Sequence, residues 1–405
     1  MSEKSTAVFR VSAVLKDTVK IKHLLKAIHS IENRFPYYKV KLKKGFFWYY
    51  LEHSNLPISV EVDREMPCRQ FRRKGPLFRI LVFGNRISVE FSHVLTDGSG
   101  GFEFLRSLLL LYYKECGLRI PGDFHFLRPD DHICQEEYED SYDQHFKHRI
   151  ASMVKLSRAF HLPYYLNPER RFDVLNMELP LKEIKSKASE NAVTITTYLV
   201  SVYLLVLQEI FENLNASSRH RRYMQLRVQV PVNLRNIYPS KTMRNFSLFV
   251  MPEIDLRLGH YTFDELIKTV HHQMNLGTEE KLISKNITRN VGSQKKTYVR
   301  GTPLFIKSMI LKHIHYSLGP RQYSGVLTNL GRVTFPSEAG KLIENLIFTP
   351  PPPHKKVKVS CGIIGFNDSL VLSFGNITRS GELEERFIKI LTTEGIHCKV
   401  LTYTK

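Results

Sequence analysis

The stretch FSHVLTDGSGGFEFL, residues 91–105, joins a β-like run to a helix-like run through a turn built on Asp97-Gly98. Upstream, PLFRILVF (76–83) and RISVEFSH (86–93) flank Gly84-Asn85. A Gly-first dipeptide between two alternating runs predicts a two-residue hairpin turn. In the second run Ile87, Val89 and Phe91 share one face, and Ser88, Glu90 and Ser92 share the other. His93 therefore falls on the apolar side, at the C-terminal end of a strand. An apolar helix is expected from about Phe102 to Tyr113. A histidine so placed has two readings. It can close a half-buried strand with one hydrogen bond, beside an Asp-Gly that is only a turn. Or, neutral near pH 7, it can take a proton from a hydroxyl or amine at a lobe edge. Asp97 would then orient the ring or pin the loop through an ion pair.

The pattern extends outward in both directions. AVFRVSAVL (7–15) alternates like a strand. A helical run follows to Phe35, with Leu24, Leu25, Ile28, Ile31 and Phe35 on one face and Pro36 as its stop. YYKVKLK and FFWYYLEH read as a hairpin around Lys44-Gly45, with Trp48 assigned to lobe packing. PISVEVD (57–63) is a further strand candidate. Residues 117–170 are irregular and acidic in part, which suits a crossing between two halves. From 171 the pattern resumes: FDVLNMELP as a strand, LKEIKSKASE as a helix, and TYLVSVYLLVLQEIFENL as a long buried helix capped by Thr194 or Thr196. Strands at 224–235, 246–255 and 324–336 follow, the last broken at Asn-Leu-Gly, together with helices at 263–276 and 304–318. A closing hairpin turns at Asn367-Asp368, before a helix from Glu382 and a last strand. Each half opens with a strand, holds helices and closes on paired strands. That order predicts an α+β (mixed α/β) fold of two lobes, residues 1–165 and 166–405, with a ligand cleft between them.

Composition narrows the function classes. The chain has 405 residues, 42% hydrophobic and 24% charged, enough for a sizeable core. Its formal net charge of +20 attracts anions. No zinc-finger spacing, RNP1-like string or basic zipper occurs, so no nucleic-acid partner is expected. Five scattered cysteines, never C-x-x-C, suggest neither a disulfide frame nor a metal site. MSEKSTAVFR lacks the apolar core of a secretory signal, and the run Tyr198–Leu207 is short for a bilayer span. The expectation is a soluble cytoplasmic protein, its charge compatible with peripheral membrane contact.

A second fragment decides between the readings of His93. In VQVPVNLRNIYPSKTMRNFSLFV (228–250) a strand runs into Pro-Val-Asn-Leu-Arg and a further strand starts at Asn245-Phe246. Together with FSHVLTDGSGG, TNLGRVTFP and SLVLSFGNIT, in that order, it resembles the CoA-dependent acyltransferase superfamily. That group includes chloramphenicol acetyltransferase, alcohol acetyltransferases and peptide-synthetase condensation domains. The resemblance covers most of the chain and implies a chloramphenicol-acetyltransferase-like fold with an inter-lobe channel. It implies His93 as general base, and Asp97 as a structural aspartate pointing away from substrate, followed by Gly98. Arg235 is implied as the arginine pairing with Asp97 across the lobe. Thr328 and Asn329 match a polar strand end lining the channel, one of them a candidate oxyanion donor. The reaction implied is acyl transfer from a coenzyme A thioester to an alcohol or amine, with no permanently bound cofactor and no metal. Condensation domains usually carry two adjacent histidines; here Ser92 precedes His93. This leans toward the alcohol acetyltransferase branch. The alternative is a stand-alone condensation-type enzyme taking its acyl group from an acidic carrier protein.

Other features read as structural. DGSGG lacks the glycine that a nucleophile elbow needs two positions before its serine, and no Gly-Lys-Ser/Thr follows it to make a phosphate loop. His271-His272 lacks a following Asp-Gly and reads as surface or packing. His313 and His315 have poor metal spacing inside a helical run. Cys361 reads as core.

Overall fold

The computed structural model describes residues 6–404 apart from 65, 73, 147–155 and 170. β1 (Val8–Leu15) leads into α1 (Ile21–Ile31). The hairpin β2 (Val40–Lys44) and β3 (Tyr49–His53) follows, then the short β4 (Val60–Val62). β5 (Phe78–Phe83) and β6 (Arg86–Ser92) pair across Gly84-Asn85, where Gly84 takes a φ of +57°. That positive φ at the first turn position suits a glycine. α2 (Gly98–Glu115) starts earlier than its apolar run because Asp97 caps it, accepting from the Gly100 N–H.

The second half begins with β7 (Asp173–Pro180) and the helices Leu181–Glu190 and Ile195–Glu212. Thr194, not Thr196, caps the longer one. β8 (Gln225–Asn233) follows, then β9 (Ser247–Val250) and β10 (Glu253–Asp255), split at Met251-Pro252. Helices Phe263–Thr278, Glu280–Lys295 and Leu304–Leu318 precede β11 (Gly325–Val333). β12 (Ile343–Thr349), β13 (Val359–Phe366), β14 (Ser369–Asn376), the helix Glu382–Thr393 and β15 (Lys399–Thr404) complete the chain.

The strands form two large sheets. The first has the order β12-β1-β6-β5-β4, and the second β10-β8-β11-β13-β14-β7-β15, with β9 added on β8. β11 is parallel to β8 and β13, while each neighbouring pair in the run β13, β14, β7 and β15 is antiparallel. Each sheet buries its own core. α1 and α2 cover the first with Leu24, Ile28, Leu105 and Leu108. The helix Ile195–Glu212 covers the second with Tyr198, Val202 and Leu207. That helix is apolar and long enough by composition to cross a membrane, but it serves here as a mostly buried core element.

Three local expectations change, and one further face is buried. α1 leaves Leu25 exposed and buries Ala27 in its place, because the first sheet meets only a narrow stripe of the helix. The polar side of β6, Ser88, Glu90 and Ser92, is fully buried too. A loop covers them, and its Cys68 N–H donates to Glu90 at 2.6 Å. Trp48 is not packed in a lobe but stands 41% exposed by the tip of the β2–β3 hairpin. Finally, residues 343–349 leave the second half. β12 pairs with β1, with Val11 opposite Phe348, so the first sheet is completed by a strand from beyond residue 166. Without it β1 would be an open apolar edge. A Cβ on Gly362 in β13 would strike the Phe348 carbonyl, so β12 also runs hard against the second sheet. It ties the two lobes together.

Candidate active site

His93 follows the last residue of β6. Its N–H donates to the Ala7 carbonyl at 2.6 Å, extending the β1–β6 pairing by one residue. Strand alternation then turns the ring to the Phe91 side, where it meets Phe9 edge-on at a centroid distance of 5.4 Å. The ring is half-buried. Burial pushes its pKa below the ordinary 6.5; the Asp97 charge and a hydrogen bond to the residue's own carbonyl pull the other way without reversing it. At pH 7 the imidazole is neutral and can accept a proton.

Asp97 does not touch the ring. Its Oδ1 caps α2 through Gly100 at 3.0 Å. Its Oδ2 accepts from Arg235 Nη1 and from the Phe246 N–H, both at 2.8 Å. Arg235 also donates to the carbonyls of Thr242 (3.0 Å) and Arg244 (2.6 Å) and to Asn233 Oδ1 (3.1 Å). Both side chains are largely buried and well satisfied. The pair is a strut between the loop after the first sheet and the turn after β8. Gly98 adds a second junction: a Cβ there would strike the Leu330 side chain of β11. Asn233 Nδ2 reaches Ser99 Oγ at 3.1 Å and closes a third.

The structure divides Thr328 from Asn329. Leu327 lies in the second core with the helix Ile195–Glu212, and by alternation Asn329 shares that face. Asn329 Nδ2 donates to Thr196 Oγ1 at 2.9 Å, and its Oδ1 accepts from the Gly331 N–H at 2.8 Å. Asn329 is thus spent on holding the Asn-Leu-Gly bulge, which leaves Thr328, opposite Gly362 on the face toward the first sheet, as the remaining oxyanion candidate.

One neighbour of the ring escaped the sequence reading. Asn245 Nδ2 lies 3.3 Å from His93 Nδ1 and 3.4 Å from the His93 carbonyl. Ser247 Oγ donates to Asn245 Oδ1 at 2.9 Å. The two amide orientations of Asn245 match the two tautomers of the ring. Asn245 sat inside the quoted fragment, but no local pattern signals a contact spanning 152 residues.

His93 lines neither of two cavities formed by the described residues. One of about 690 Å³ abuts Ser99, Gly100 and Arg235, on the strut side, with the buried Arg34–Glu137 pair in its wall. The other, about 370 Å³, lies beside Thr6 and carries Arg69, Arg171 and Lys355. Among the described residues no group of three His, Cys, Asp or Glu could hold a metal ion. His271 bonds to Asn275 on an exposed helix face; the side chains of His313 and His315 lie outside the described residues. Cys361 is buried in the second core.

No family model matches the sequence, and no curated protein does. Solved structures match over nearly the whole chain. The F. sporotrichioides TRI101 protein complexed with coenzyme A and T-2 aligns with 98% of this chain and 96% of its own, at a TM-score of 0.63 and 10% identity. The starter condensation domain of rhizomide synthetase RzmA aligns with 97% of this chain and 91% of its own, at 0.54 and 11%. The nonribosomal peptide synthetase FmoA3 aligns with 96% of this chain at 0.60 and 15%; there the chain spans only 40% of the longer protein. The fold is therefore the two-lobed, mixed α/β architecture of chloramphenicol acetyltransferase and the condensation domains.

Proposed function

We propose that the chain transfers an acyl group from an acyl-CoA thioester to an alcohol, with His93 as general base. The observation that carries this reading is a neutral imidazole at a strand end, seated by Ala7 and Phe9. Its loop is braced by a strut that spends Asp97 on Arg235 and Phe246 rather than on the ring. With Nδ1–H donating to its own carbonyl, Nε2 keeps its lone pair for the hydroxyl proton. The alcohol oxygen attacks the thioester carbon as the proton moves to Nε2. The tetrahedral intermediate then collapses, the carbon–sulfur bond breaks, and the proton passes to the leaving thiolate. Ester and free thiol result, and no acyl-enzyme is needed. Thr328 is the proposed donor to the oxyanion.

The net charge of +20 supports an anionic donor. The 370 Å³ cavity, which His93 does not line, has three cationic side chains and, among the described residues, no carboxylate, and Arg69 and Arg171 each already hold a glutamate, Glu61 and Glu169. The five cysteines are unpaired, which supports a reducing, cytoplasmic setting. The fold shared with condensation domains also supports a second reading, a carrier-protein thioester as donor.

The test is thiol release with a panel of acyl-CoAs and pooled alcohols and amines. Free acyl-CoA should be turned over, and His93→Ala should lower kcat/KM by roughly 10²–10⁴ while folding stays intact. Activity only with a carrier-bound acyl group would move the assignment to the second reading. Full turnover by His93→Ala would remove the general base altogether.

A further inference from the structure

The β2–β3 hairpin stands apart from both large sheets as a two-stranded ribbon. Its turn, Gly45-Phe46-Phe47-Trp48, docks on the start of the helix Leu304–Leu318. The Leu304 N–H donates to the Phe46 carbonyl at 2.8 Å. Lys307 Nζ donates to the Phe47 carbonyl at 3.1 Å and sits 3.4 Å from the Trp48 ring centroid. The two elements thus form one surface, and it is apolar. Phe46 is 69% exposed, Phe305 60% and Met309 71%, with Tyr49, Tyr298 and Leu311 also open to solvent. Phe305 and Met309, four residues apart, share one helix face, and exposed aromatics and long aliphatics concentrated on two docked elements mark an interaction site rather than chance exposure.

Charge selects the partner. Segments 39–50 and 295–318 contain no Asp or Glu, and carry Lys41, Lys43 and Lys44 on the hairpin and Lys295, Lys296 and Arg300 on the helices; Lys43 pairs with Glu52 farther along the hairpin at 3.0 Å and Lys295 with Asp143 at 3.1 Å, so the excess is carried by Lys41, Lys44, Lys296 and Arg300. A second copy of this face would bring like charges together around the apolar centre. A protein partner would favour arginine and exclude lysine, whereas here lysine dominates. Aromatic rings and aliphatics ringed by lysines suit the boundary between acyl chains and anionic headgroups.

We propose that this face docks the protein on anionic membrane surfaces, with Phe46, Phe305 and Met309 entering the headgroup boundary and the lysines contacting lipid phosphates. The proposal does not rest on the acyl-transfer reading.

Trp48 is the only tryptophan of the chain, so it reports directly from the patch. The experiment titrates the full chain with vesicles rich in phosphatidylglycerol and with pure phosphatidylcholine vesicles, at low and high salt. It reads co-flotation and Trp48 emission. Binding to anionic vesicles with a blue shift, weakened at least about tenfold by Phe305→Asp with Met309→Asp and by Lys44→Glu with Lys296→Glu, is the expected result. Leu258→Asp, on an exposed apolar residue after β10, should bind like the parent, and circular dichroism of all variants should match. Lack of anionic-vesicle binding at low salt would overturn the proposal. So would equal binding to neutral vesicles, indifference to both double variants, or self-association or capture by an acidic carrier protein that shields Trp48 without lipid.

Discussion

Two buried charge systems lie within ten residues of each other in sequence, and they are built differently. Glu90 sits in the middle of the first sheet, opposite Arg10 on β1 and Arg79 on β5. Both arginines donate to it, and Asp63 extends the row to Arg10 and Arg86 at 2.9 Å. Every member belongs to one lobe: register sets Arg10, Glu90 and Arg79 side by side on three neighbouring strands, and Asp63, just past β4, reaches back over them to Arg10. Asp97 finds Arg235 from 138 residues away, across the meeting of the lobes. The first system holds a sheet together. The second sets the distance between two bodies, with His93 on the loop it fixes.

The comparison can be broken by substitution. Asp97→Ala or Arg235→Ala leaves a buried charge without its partner and should cost about 3–5 kcal/mol of stability. It should also lower kcat/KM of the molecules that remain folded. Glu90→Ala strands Arg79, while Arg10 keeps Asp63, and should cost a similar amount, but with kcat/KM per folded molecule unchanged. Denaturant melts paired with active-site titration separate the two outcomes. If Glu90→Ala lowers turnover as Asp97→Ala does, the distinction between sheet staple and lobe strut is wrong.

A third buried carboxyl sharpens the contrast because it has no arginine. Glu384, on the helix Glu382–Thr393, accepts one bond from Asn376 at 2.7 Å, and its Oε2 has no partner among the described residues. Burial raises its pKa from 4.5 to about 7. A carboxyl raised on folding binds its proton more tightly in the native state. Its contribution is therefore complete below pH 4.5 and is lost as pH rises through about 7. Glu384→Gln should be more stable than the parent by on the order of 3 kcal/mol at alkaline pH and equal to it in acid, by thermal melts across pH. A difference independent of pH would mean that the carboxyl is already ionised in the fold.

The smallest effect tests the ring's surroundings. Asn245→Asp places a carboxylate beside Nδ1 and should raise the acid-limb pKa of kcat/KM by about one unit. In the parent that limb should fall below 6.5, because burial depresses His93. An unmoved limb in Asn245→Asp would mean that another group titrates.

Much of the site's first half was legible. Alternation placed the strand before His93 and the side its ring takes, Gly84-Asn85 marked the turn, and Asp97-Gly98 marked the tight loop, though not the helix cap that Asp97 supplies. Each rests on neighbours within a few residues. The second half was legible only in part. The fragment around Arg235 named a partner for Asp97, but nothing local showed that Asn329 turns from the cleft to Thr196 or that Asn245 reaches the ring. A two-residue period says that Thr328 and Asn329 face opposite ways, not which way the sheet itself faces.

What the chain determined by itself was short-range: strand and helix periods, the hairpin turn and the tight turn at Asp97-Gly98. These follow from φ/ψ preferences and side-chain alternation, which act over one or two turns of chain. Only the tertiary structure decided that β12 would cross to the first sheet, that the polar face of β6 would be buried, that the hairpin would leave its aromatics in solvent, and that His93 would be neutral. Those depend on which surfaces lose water against each other, and desolvation is a property of the packed whole.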